Sequence, residues 1–147
     1  MGQEIADSHF TAADFEEFSR RLERETKLLQ DWLRQGRFSA GEHVGGFELE
    51  AWLVDRQARP APLNRPLLDA LNDPLVVPEL ARFNLEINGS PQPIRGDALS
   101  RLAEELTATW GKCNQAAAGL DARLAMIGIL PTVVEQDLTG ENMSRLQ

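Results

Sequence analysis

Gly45-Gly46-Phe47-Glu48-Leu49-Glu50-Ala51-Trp52-Leu53-Val54 is the stretch on which the fold turns. Read with a period of two, it places Phe47, Leu49, Ala51 and Leu53 on one side. Gly46, Glu48, Glu50, Trp52 and Val54 fall on the other. The first side is apolar enough to enter a core, and the second carries two carboxylates beside an indole. The expected strand runs from Val44 to Val54. Its two glutamates point the same way, about 6.6 Å apart at about 3.3 Å per residue. Like charges at that spacing repel by roughly 2–3 kcal/mol at an effective dielectric near 20. A divalent cation beside them reverses the sign. Gly45-Gly46 leaves room for a ligand or another backbone to come close.

Working outward, Phe83 to Asn88 alternates in the same way and reads as a second strand. Phe83, Leu85 and Ile87 face one side, and Asn84, Glu86 and Asn88 the other. If the two strands are neighbours, Glu48, Glu50 and Glu86 share one surface. Three carboxylates are hard oxygen ligands of the kind magnesium and manganese take. The same spacing also suits a solvated strand face, so both readings stand at this point.

The flanks are helical. Thr11 is placed as an N-cap, with Asp14 reaching back to it and Phe10 and Phe15 placed as a staple. Apolar residues then recur at Phe15, Phe18, Leu22, Leu29 and Leu33, with Trp32 beside them and Gly36 as a stop. A second long helix is expected, with Asp97 as its cap. Its stripe is Leu99, Leu102, Leu106, Trp110, Cys113, Ala117, Leu120 and Leu124. Between these elements, Asp55 to Pro66 is proline-rich loop, and Leu67 to Asn72 is a short helix ended by Pro74. Ala125 to Leu130 reads as a fully buried strand stopped by Pro131. The tail from Asp137 is polar with no stopping signal. The sum is an α+β domain over 1–147, with a leading helix over 1–40 and the sheet with its helix over 41–147. One face of the sheet packs on two long helices, and the other bears the acids.

Composition narrows the function. The 147 residues are 42% hydrophobic and 26% charged, with a formal net charge of −8. That balance disfavours nucleic acid and anionic membrane surfaces, which attract basic patches. The single cysteine, Cys113, allows no internal disulfide, which fits a reducing, cytoplasmic setting. It lies on an apolar stripe and reads as a core residue. With only His9 and His43 beside it, a structural zinc site is not expected. The N-terminus lacks the apolar region of a signal peptide, and no run reaches transmembrane length.

Four segments carry a resemblance. Gly46 to Asp55 resembles the G-x-E-x-E strand that opens the glutamate–cysteine ligase and carboxylate–amine ligase families. Pro78-Glu79-Leu80-Ala81-Arg82-Phe83-Asn84-Leu85-Glu86-Ile87-Asn88 is similar to their second acidic strand. Gly128-Ile129-Leu130-Pro131-Thr132 resembles a later glycine–proline strand, and Leu138 to Ser144 the segment after it. Together they span about residues 40 to 147 in the family's order.

The resemblance implies a glutamine synthetase-like catalytic fold, in which an antiparallel sheet lines a funnel. It implies an ATP-dependent ligase of glutathione biosynthesis that activates a γ-carboxylate as an acyl-phosphate, which an amine then attacks. Carried over by position, Glu48 and Glu50 hold Mg2+ or Mn2+ on the ATP phosphates, and Glu86 holds a metal near the acyl-phosphate. Asn84 and Asn88 are implied to orient the amino-acid substrate or a water behind the metal. Two departures stand out. Ile129-Leu130 replaces a polar, histidine-containing turn, and the family's catalytic domain is usually more than twice this long. The chain is therefore expected to lack part of an active site. The alternative is a truncated, non-catalytic homologue acting as a binding module or homodimer.

Overall fold

The computed structural model describes residues 9–144, and the readings on Met1 to Ser8 and on the last three residues fall outside them. The chain divides into two compact units, Met1–Gly41 and Glu42–Gln147.

The first unit is helix α1, Ala12–Arg34. Its start follows from the sequence. Thr11 accepts from the Asp14 amide, and Asp14 Oδ2 accepts from the Thr11 amide at 2.7 Å. The Phe10 and Phe15 rings meet edge-to-face at 6.3 Å. The helix ends at Gln35, and Gly36 takes a positive φ of 62° that a side chain disfavours. None of its residues is buried.

The second unit holds both sheets. Strand β1, Val44–Gly45, pairs with β5, Gln92–Pro93. The larger sheet is antiparallel, in the order β3-β4-β2-β6. It is built from β2 (Glu48–Val54), β3 (Val76–Pro78), β4 (Asn84–Asn88) and β6 (Arg123–Ala125). The strand expected over Val44–Val54 is thus broken at Gly46-Phe47. A Cβ on Gly46 would stand 2.9 Å from the Gly89 carbonyl, so the chain turns there by backbone contact.

Helices α2 (Asn64–Leu71) and α3 (Ala98–Ala118) cover one face of the sheet. Ala51, Leu53, Leu85 and Ile87 from the strands meet Leu67, Cys113 and Ala117 from the helices. The period-two reading of β2 and β4 therefore holds for the core side. Within this unit the covering helices are one long and one short.

Four readings are corrected. Ala125–Leu130 is not a buried strand. β6 ends at Ala125, and Met126, Ile127 and Ile129 are exposed. The chain bends away there, and the Ile127 carbonyl accepts from the Trp52 indole at 2.9 Å instead of from a ladder. Phe83 is buried but precedes β4. It stacks on Trp52 with ring centroids 5.7 Å apart, outside the main core. Asp97 stands at the N-cap of α3 without capping it, since its carboxylate is taken by Arg101. Leu99, on the stripe by spacing, is exposed.

Among the described residues, no helix is long and apolar enough to cross a membrane.

Candidate functional site

The face of the sheet away from the helices carries the expected residues. Register fixes them there: Glu50 stands directly across from Glu86, Glu48 from Asn88, and Trp52 from Asn84. Cross-strand partners project to the same side with Cβ atoms about 4.5–5.5 Å apart. All five candidates, Glu48, Glu50, Glu86, Asn84 and Asn88, therefore share one surface. Glu48 and Glu50 are exposed, and the other three are half-buried.

Glu86 is the electrostatic centre. Asn88 Nδ2 donates to its Oε1 at 2.8 Å. Its carboxyl is nevertheless held above the usual range, first by burial and then by the charge of Glu48 and by a shared hydrogen bond and charge from Glu79. The Asn88 amide works in the opposite direction and does not cancel these effects.

Glu79 was not among the residues singled out for the site. It follows β3, whose Val77 stands opposite Glu86. The signal was present in Val76-Val77-Pro78, a short β-branched run closed by a proline. Reading that run as a strand beside β4 turns Glu79 toward the acids. Its own Oε2 accepts from the Leu80 amide at 2.9 Å, which fixes the carboxylate in place.

One end of the surface is closed by the Trp52–Phe83 stack. The base of β4 is clamped from behind by Asn64, which is buried. Its Nδ2 donates to the carbonyls of Ala81 and Asn84 and to Ser144 Oγ, at 3.3, 3.2 and 2.8 Å. Outside this surface, burial pushes the Cys113 thiol up to about 11, with the Asp73 charge adding to it. That removes it from nucleophilic chemistry and agrees with its reading as core.

The donor set is chemically suited to a hard divalent ion: carboxylates and amide oxygens, without sulfur or imidazole. The carboxylates are aligned but not converged. Among the described residues, no group of three or more Asp, Glu, His or Cys side chains is gathered closely enough to hold a metal ion.

No family model, curated protein or solved structure matches the chain.

Proposed function

We propose that this chain contributes the acidic face of an ATP-dependent carboxylate–amine ligase of the glutamate–cysteine ligase kind. The observation that carries the reading is Glu50 set opposite Glu86, with Glu48 and Glu79 close enough to hold the Glu86 proton more tightly. Carboxylates crowded in this way cost stability until a cation separates them.

Glu48 and Glu50 would hold Mg2+ or Mn2+, and Glu86, with Glu79 beside it, would hold a second ion. Such ions neutralise charge on a transferring phosphoryl group. Asn84 and Asn88 present amides that can orient an amino-acid carboxylate. Trp52 and Phe83 exclude water from one flank.

A second reading is a non-catalytic module. It is favoured by the outer edge of β2, where β6 pairs only with Trp52–Val54.

Calorimetric titration of Mn2+, with and without a non-hydrolysable ATP analogue, separates the two. The ligase reading expects binding that the nucleotide strengthens and that Glu50→Gln and Glu86→Gln each weaken. Equal, weak binding in all three proteins would sink it.

A further inference from the structure

Helix α1 is 23 residues long and buries none of them. Its apolar stripe runs along most of that length, interrupted at Glu25 and Thr26: Phe15, Phe18, Leu22, Leu29, Trp32 and Leu33 are all exposed, Phe18 and Leu33 to 63%. Aromatic contacts lengthen the stripe at both ends. Phe10 packs on Phe15, and Phe38 packs on Trp32 at 6.5 Å. A helix that presents such a face to water gains nothing from its own pattern. We infer that α1 is a homodimerisation element, pairing antiparallel with α1 of a second copy of this chain.

Two features select that occupant. The first is area. Side chains of this size, about half exposed, leave roughly 100 Å² each, so the stripe offers on the order of 800 Å² per copy, which is about what one partner gives to a standard stable interface.

The second is charge. Residues 12–23 carry four acids and two arginines, whereas residues 24–34 carry three bases and two acids. An antiparallel copy sets the acidic half of each helix against the basic half of the other. Helix dipoles also oppose favourably in that arrangement, and a parallel pair loses both advantages. The one charged residue within the stripe, Glu25, lies one turn from Arg21, and the two already feel each other. Near a two-fold axis at the middle of the helix, Arg21 of each copy comes beside Glu25 of the other. Phe15 and Phe18 then meet Leu29, Trp32 and Leu33. The net helix charge is small, so association does not depend on a polyanion or a basic surface.

The test is sedimentation equilibrium of the full chain from about 0.1 to about 100 µM, spanning the weak end of the affinities that interfaces of this size show. A reversible dimer is expected. Phe18→Glu combined with Leu29→Glu should raise its dissociation constant at least about tenfold, as loss of central anchors does. Far-UV circular dichroism and Cys113 protection report that the second unit stays folded. Arg21→Glu and Glu25→Arg should each weaken the dimer, and together restore it.

Orientation is read by disulfide trapping in a Cys113→Ala background. Leu22→Cys, one residue from the axis, should cross-link to itself, and Leu33→Cys, near the end, should not. A monomer throughout, or a dimer indifferent to the α1 substitutions, overturns the proposal. Cross-linking at both positions overturns the antiparallel arrangement.

Discussion

Glu50 and Glu86 face each other directly across the β2–β4 ladder, two carboxylates at a position where sheets ordinarily place opposite charges or apolar pairs. The pairing is set by backbone register, so it cannot be relieved without slipping the strand and turning Leu49, Ala51 and Leu53 out of the core. A sheet that keeps this arrangement carries a local cost that a cation can remove.

Burial of Glu86, with the Glu48 and Glu79 charges beside it, makes this face sensitive to pH as well. Glu86 has a folded-state pKa above its ordinary value of 4.5. Its sign follows from linkage: the folded state holds the proton more tightly, so stability falls as pH rises through the window above 4.5. Without divalent ions, Glu86→Gln should therefore stabilise the protein at pH 7 by about 0.5 kcal/mol. The gain should fade below pH 4.5. Urea unfolding of both proteins at pH 4 and pH 7 checks this, and a variant less stable than wild type at pH 7 would contradict it.

Mn2+ should reverse that order. In the presence of saturating metal, wild type should unfold at higher urea than without it, while Glu86→Gln gains less. Quenching of Trp52 fluorescence by Mn2+, absent in Trp52→Phe, would place the ion on the acid-bearing face. Quenching that survives that substitution would put it elsewhere.

Asp73 works in the opposite sense. Lys112 at 3.0 Å, followed by the Leu75 amide, holds its carboxyl below the ordinary 3.8. The stability this contributes is present above 3.8 and is lost as pH falls through the lowered value. Asp73→Ala should cost about 1 kcal/mol at pH 7 and much less near pH 2. An equal cost at both pH values would show that packing, not charge, is responsible.

Asn64→Ala should be the most damaging of these substitutions. It leaves the Ala81 and Asn84 carbonyls and Ser144 without their shared donor in a buried site. About 2 kcal/mol is expected in urea unfolding. Because the clamp holds the start of β4, metal affinity should fall as well, even though Asn64 touches no carboxylate of the site.

Cys113 should resist modification. With its thiol pushed up to about 11 and its side chain buried, reaction with a disulfide reagent at pH 8 should proceed only as fast as the protein opens. Rapid native reaction would contradict its placement.

The legible parts of the sequence were those governed by local rules. Thr11 and Asp14 form their capping box within four residues, and Leu85 and Ile87 alternate with Glu86 as strand geometry demands. What escaped depends on distant partners. Val76–Pro78 carries only a short β-branched run, and its pairing with β4 is what makes it a strand. The Ala125–Leu130 run looked buried because it is apolar, yet the Trp52 indole captures the Ile127 carbonyl and ends the ladder. Phe83 followed the alternation on paper and broke it in space, because the turn before β4 lets its ring reach Trp52. The acidic face was readable from Glu48, Glu50 and Glu86, whereas Glu79 needed β3 to be known first.

The approach of Gly46 to the Gly89 carbonyl bears on how this protein can change over generations. Two segments that frame the acid-bearing strands touch there through main chain alone, with 2.9 Å left for any added carbon. Phe47 and Ile94 nearby are exposed and free to drift without moving that junction. The rim around the carboxylates can therefore change in sequence, while the corner that aims β2 at β4 stays tied to one residue type.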